Sequence, residues 1–288
     1  MKRGIDHLVL CVSDIERAAA LYQRLGFTVT PRAEHPWGTD NRLVQLNGCF
    51  LELLTVSRPE LIPAATEKDF SFGAYNAEFL SHREGMSMLA LESGDAQADR
   101  DEFVRRGLPP FENFHFERLA KIPDGASVRV AFTLAFATDP RMPDAAFFCC
   151  QQHAPQYFWK PKYQSHANGA ETIDEVVMVA EDPTSLADFF CKIQERQSVE
   201  TIGGDLAIHT PRGQITVLSP ENVRQRLGGT DFSTVASSPH FLGFAVRVPD
   251  LERIASHLHS NGVPFESGGN SIHVRPNDAF GVFVEFRA

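Results

Sequence analysis

Asp6-His7-Leu8-Val9-Leu10-Cys11-Val12-Ser13-Asp14 alternates like a strand and stops at an acid; Ile15, Ala18, Ala19, Tyr22 and Leu25 then follow at helical spacing, and Gly26 closes the run. The pattern returns three times. Its last copy is Leu242 to Asp250, with Leu251, Ile254, Ala255 and Leu258 on the helix and Gly262 at its end. Between them, Met86 to Glu92 leads to Asp95 and a helix ending near Gly107, and Ile173 to Ala180 leads to Asp182 and a helix through Phe189, Phe190 and Ile193. Asp and Gly stand 12 residues apart in three copies, 14 to 26, 95 to 107 and 250 to 262. The spacing has a capping logic. An Asp carboxylate takes the free amides of the first helical turn, and Gly accepts the left-handed residue that ends it. The third copy has Gln194 where Gly is expected.

Three extended runs follow each helix: Phe27 to Pro31, Asn41 to Leu46 and Cys49 to Val56 in the first copy, and Pro264 to Glu266, Ser271 to Pro276 and Gly281 to Arg287 in the last. The middle copies give Phe114 to Ala120, Ser127 to Ala137 and Ala146 to Gln152, then Val199 to Ile202, Asp205 to Thr210 and Gln214 to Leu218. Turns such as Asn47-Gly48 and Pro211-Arg212-Gly213 separate them. Each unit is therefore βαβββ. Four strands and one helix leave a sheet face uncovered, so the units are expected to pair. The fold predicted is α+β, four βαβββ modules paired into two curled eight-stranded open barrels with helices outside. Ala154 to Gly169, rich in Pro, Gln and aromatics, is the expected boundary between domains 1–160 and 161–288.

Composition sets further bounds. The 288 residues carry 27 basic and 37 acidic side chains, a formal charge of −10, with 43% apolar and 22% charged residues. Such a chain buries a core without needing a metal or disulfide for stability. The acidic balance and the lack of a Lys/Arg run argue against nucleic acid as a partner. No stretch approaches the roughly 20 apolar residues of a membrane span, and the amino terminus has no signal-peptide core. Five cysteines without CxxC spacing point to reduced, packed thiols and a cytoplasmic location. The expected partner is a small molecule, and the expected state a monomer or homodimer.

Four βαβββ units, the strand from His7 to Asp14 and the run Cys49-Phe50-Leu51-Glu52-Leu53-Leu54 resemble the vicinal oxygen chelate superfamily, which includes glyoxalase I, extradiol dioxygenases and bleomycin-resistance proteins. His35-Pro36-Trp37-Gly38-Thr39-Asp40-Asn41-Arg42 and Gln152-His153-Ala154-Pro155, with Phe158-Trp159, resemble bacterial glyoxalase-like proteins more narrowly. The resemblance implies a metal-dependent lyase or isomerase acting on a small molecule with vicinal oxygens, with zinc, nickel, iron or manganese as cofactor.

The residues support that chemistry in part. Glu52 lies in an apolar strand with Phe50 and Leu54 on its own face, and a buried carboxylate needs a cation, a proton or hydrogen-bond donors. First and last strands of a βαβββ unit are neighbours, so His7 and Glu52 can converge, and the resembling enzymes place metal ligands at these positions. The matching positions elsewhere are Met88 and Cys149, Glu175 and Val217, and Gly243 and Glu285. His7, Glu52 and Glu285 form one possible three-ligand set if the first unit pairs with the fourth; a surface ion pair of Glu285 with Arg287 is an equal reading. Glu52 is the candidate general base. His35, Trp37, Asn41, His153 and Trp159 are candidate substrate contacts, with turn-capping and aromatic packing as the plainer alternatives. A metal-free binding protein is the competing reading. An extradiol dioxygenase is disfavoured because no second histidine falls in register. No GxGxxG, GxxxxGK[ST], HExxH or GxSxG motif is present.

Overall fold

The protein is described by a computed structural model covering residues 3–121, 127–227 and 238–288. The first half runs β1 (Ile5–Cys11), α1 (Ile15–Arg24), β2 (Ala33–Glu34), β3 (Thr39–Gln45), β4 (Phe50–Val56), α2 (Phe72–His82), β5 (Gly85–Ser93), α3 (Ala96–Arg105), β6 (Phe114–Lys121), β7 (Ser127–Ala137), β8 (Ala146–Gln152) and α4 (Pro155–Phe158). The second half runs β9 (Thr172–Val179), α5 (Ala187–Ile193), β10 (Glu200–Ile202), β11 (Asp205–His209), β12 (Gln214–Leu218), α6 (Pro220–Arg226), β13 (His240–Arg247), α7 (Leu251–Ser260), β14 (Glu266–Gly268), β15 (Ser271–Val274) and β16 (Phe283–Arg287).

Two eight-stranded mixed sheets result, ordered β2-β3-β4-β1-β5-β8-β7-β6 and β10-β11-β12-β9-β13-β16-β15-β14. The first unit pairs with the second through antiparallel β1 and β5, and the third with the fourth through antiparallel β9 and β13. Asp14, Asp95 and Asp250 each accept two amide bonds of the helix that follows, and Gly26, Gly107 and Gly262 end those helices at positive φ. The third unit differs as its sequence does. Asp182 bonds the Thr184 hydroxyl and leads into a 3-10 turn, and Glu195 takes the left-handed conformation after Gln194.

One expected strand is almost lost. Phe27 to Pro31 runs beside β3 and is joined to it where the Thr30 amide donates to Leu43 O (2.9 Å), but Pro31 brings no amide, and only Ala33–Glu34 pairs as a strand. Three helices, α2, α4 and α6, were not anticipated. α2 and α6 each follow the last strand of an odd-numbered unit and pack on the concave side of its sheet, α2 through Phe72 and Phe79, α6 through Val223, and the short α4 lies in the segment expected to be the domain boundary.

The outer faces of both sheets share one core, in which Phe147 of β8 meets Phe189, Phe190 and Phe241 at 5.2, 5.7 and 5.3 Å between ring centres. Arg3 is 2% exposed and ties the halves together, bonding Asp99 of α3, Ile193 O and Glu195. All five cysteines are free.

The second concave face carries buried ion pairs. Arg226, at the end of α6, bonds Glu175 (2.7 Å) and Glu285 (2.8 Å), and Arg287 bonds the same two carboxylates at 2.5 and 2.7 Å. Burial alone would raise both carboxyls. Hydrogen bonds and charge from the two guanidiniums outweigh it and hold both below the usual range. A carboxyl depressed in the folded state stabilises above its unfolded value, near 4.5 here, and that contribution is lost as pH falls toward the folded one. Replacement of Arg226 by Met is therefore expected to cost about 1–3 kcal/mol in urea unfolding at pH 7, the penalty of under-satisfied buried carboxylates. The cost should shrink as pH falls below about 4.5, where the unfolded state protonates first; a pH-independent loss would refute the assignment.

Candidate functional site

The strand register selects what the first concave face displays. Side chains alternate, so His7, Val9 and Cys11 of β1, Phe50, Glu52 and Leu54 of β4, Met88 and Ala90 of β5, and Ala146, Phe148 and Cys150 of β8 point inward. β1 pairs β4 with Val9 opposite Glu52, and β5 pairs β8 with Ala90 opposite Phe148. The counterpart of Glu52 in the second unit is thus Phe148. Cys149 points into the outer core instead. By the same register Thr216, not Val217, matches Glu52 in the third unit.

The face lines an open cleft of about 550 Å³, the open solvent at its mouth included. Its walls are mostly rings, among them Trp37, Phe50, Phe116, Phe132, Phe148 and Phe158, and among the described residues no Lys or Arg lines it. Its polar groups are few: His7, His35, Asn41, Glu52 and Cys150.

His7 and Glu52 are 5% and 7% exposed, and each is held from one side. The β1–β5 register slips by one residue between Ile5 and His7, which makes Asp6 a bulge. The bulge brings the Asp6 carboxylate to His7 Nδ1 at 2.5 Å, while Gln152 Nε2 donates to its other oxygen at 2.9 Å. A carboxylate only accepts, so Nδ1–H donates, and in the neutral imidazole Nε2 then carries the lone pair. The ring lies flat on Phe50, 4.2 Å between centres, and edge-on to Phe148 at 5.3 Å. Asn41 Nδ2 donates to Glu52 Oε1 at 2.6 Å. The remaining Oε2 faces His7 Nε2 across 3.8 Å, too far for a direct hydrogen bond and wide enough for a ligand oxygen to approach both.

His35 and Trp37 also line the cleft, stacked on each other at 4.6 Å, with His35 Nδ1 bonded to Thr39 Oγ1 (2.9 Å). Trp159 stands behind this wall, 5.0 Å from Phe158 and 6.0 Å from Phe50, and does not line it. His153 is exposed on the opposite face of the sheet, where its Nε2 meets the Thr133 hydroxyl (2.7 Å) beside His115. Nor does the fold bring Glu285 to His7 and Glu52: it belongs to the second sheet and is neutralised by Arg226 and Arg287. Asp6 and Gln152 went unnoticed in the sequence because strand alternation puts Asp6 on the wrong face, and only the bulge reverses that.

The superfamily implies a divalent ion, and the donor set tests that. Catalytic metal sites normally take three protein ligands. The cleft offers His7 Nε2 and Glu52 Oε2, while the two remaining family positions hold Met88, whose sulfur is met by Asn76 Nδ2 at 3.6 Å, and Phe148. Among the described residues one further trio, Asp6, His7 and Cys150, has donor atoms within 4.8 Å of one another. Asp6 is already committed to His7 and Gln152. Burial first, then the Asp6 and Glu52 charges, push the Cys150 thiol well above its usual range, and Cys150 stands outside the family's ligand positions. These residues do not fit a resident metal.

Asp6→Ala removes the acceptor that fixes the His7 tautomer. Nitrogen-15 NMR of the imidazole is expected to show Nδ1–H in the native protein and a population shifted toward Nε2–H in the variant; an unchanged tautomer would count against the Asp6 role.

The glyoxalase-like domain family matches residues 5–192. A hypothetical protein from Staphylococcus aureus superposes with a TM-score of 0.68 at 12% identity, covering 99% of both chains. A triple mutant of 4-hydroxymandelate synthase from Streptomyces coelicolor gives 0.61 at 15%, covering 99% of this chain and 92% of its own. A fusion of a xylose isomerase-like TIM barrel with 4-hydroxyphenylpyruvate dioxygenase gives 0.59 at 13%, covering 100% of this chain and 49% of its own. No curated protein matches by sequence. At these identities the structural likeness speaks for the fold alone. From the repeat, the paired sheets and the family match, the chain belongs to the glyoxalase-like domain family of the vicinal oxygen chelate superfamily.

Proposed function

We propose that this protein is a lyase or isomerase that moves protons on a small molecule with vicinal oxygens, using Glu52 and His7 without a resident metal. The observation that carries this reading is the facing pair of lone-pair atoms, Glu52 Oε2 and His7 Nε2, 3.8 Å apart at the floor of a ring-lined cleft. For an α-hydroxy carbonyl compound the steps balance internally. Glu52 takes the proton on the hydroxyl-bearing carbon, His7 Nε2 carries the hydroxyl proton to the former carbonyl oxygen, and Glu52 returns its proton to the neighbouring carbon. Asn41 and Asp6 hold the two groups in place, and the rings exclude water.

The metal-dependent version implied by the superfamily lacks its third ligand here. A second reading, a binding protein without catalysis, is favoured by the shortage of polar groups among the rings.

The test is deuterium exchange in D₂O, followed by proton NMR, over α-hydroxy ketones from dihydroxyacetone to 2-hydroxyacetophenone. Exchange is expected with at least one compound, unaffected by EDTA, and about 10²–10⁴-fold slower in Glu52→Gln. Elemental analysis of protein purified without chelator should find well under one metal per chain. Tight binding with no exchange would favour the binding protein, and exchange abolished by EDTA would restore the metal.

A further inference from the structure

The cleft does not end at its rings. A second hollow with about 730 Å³ of empty space adjoins it, and Asn41, Leu43 and Phe158 are walls of both. The two differ in character. The outer hollow is lined by Arg32 and Lys160, with Tyr157 and Tyr163, and among the described residues by no Asp or Glu. Arg32 is committed, its Nε 2.8 Å from Asp40 Oδ2 and a second nitrogen on the same oxygen. Lys160 has no ion-pair partner among the described residues.

Its position is fixed from within the sheet. Gln45 of β3 is 2% exposed and spends both ends of its amide on one short segment: Nε2 donates to Phe158 O, and Oε1 accepts from the Lys160 amide, each at 3.0 Å. One buried side chain thereby sets both the ring that separates the hollows and the backbone from which the Lys160 side chain leaves. In a chain of formal charge −10, a half-buried lysine with no carboxylate partner among the described residues is a place where an anion gains most.

We propose that the ligand is a planar aromatic molecule bearing a carboxylate, its ring among the phenylalanines and its anionic end on Lys160. This rests on the reading of the cleft as a small-molecule site and names the class of molecule it takes.

Binding is read through the two tryptophans, Trp37 in the inner wall and Trp159 behind Phe158. The probes are benzoate, phenylacetate and 3-phenylpropanoate, each beside its neutral amide. At least one acid is expected to bind about tenfold tighter than its amide, a preference that weakens with added salt. Lys160→Met should reduce that preference to within about threefold while leaving amide affinity and melting temperature unchanged. Lys162→Met, whose ammonium lies over the Tyr163 ring and does not line the hollow, should preserve it. Equal affinity for acid and amide, a preference surviving in Lys160→Met, or binding of none of the six compounds overturns the proposal. Failure of the catalytic reading is distinguishable: proton exchange would be absent while the acid preference and its loss in Lys160→Met remained.

Discussion

The site depends on one irregularity in a strand. A regular β1 would send Asp6 and His7 to opposite faces, and the imidazole would enter the cleft unsupported. The bulge puts both on the same group, so the residue preceding the histidine becomes its partner. The same slip occurs at Ser87 in β5, Asp174 in β9 and Leu242 in β13, the equivalent repeat position of every unit. It is a property of how these strands pair across the pseudo-twofold, and each unit fills it differently. Ser87 bonds Asn76 of α2, Asp174 meets Arg247, and Leu242 joins the inner core of the second sheet.

Pairing two similar units twice makes two similar hollows, and the helices after the odd units decide their fates. α2 packs on the first hollow through Phe72, which walls it, and Phe79, which joins the core beside it, and both leave its floor open. α6 sends Arg226 between Glu175, the counterpart of His7, and Glu285, the counterpart of Phe148, and its guanidinium satisfies both carboxylates. Charge that in one half faces an open cleft is in the other neutralised within the protein. The ion pairs are partly solvent-shielded, which lets them outweigh the burial of two carboxylates.

The repeat was legible because its signals are local. Asp caps, closing glycines and period-two runs are set within about ten residues, and β7, β8 and β12 fall at the residues expected. α2 and α6 were missed because they belong to no repeat, although Ser71 and Ser219-Pro220 are ordinary helix starts. The convergence of His7 and Glu52 followed from the neighbourhood of first and last strands, whereas the bond from Asn41 to Glu52 came only with the fold. The displacement of Cys149 by Phe148 did not, because the last strand has no anchor residue to count from, and an error of one residue exchanges the two faces. The pairing of units was equally out of reach, since it rests on contacts between strands roughly eighty residues apart. Glu285 and His153 were placed by composition and spacing, and tertiary structure sent both elsewhere.

What the superfamily position requires of a residue is narrower than what it permits. A symmetric pair of units supplies four inward positions at the floor of one sheet, and a metal needs most of them to be donors. Once Met88 and Phe148 occupy two, the remaining His and Glu still share a low-dielectric floor, and such a floor strengthens every interaction they make with a polar ligand. Proton transfer needs only two correctly held groups, and Asp6, Gln152 and Asn41 hold them. The lack of donors at the other two positions therefore removes the ion's ligands without removing the means of acid–base chemistry, and Phe148, with the rings around it, makes the rest of the cleft an apolar wall.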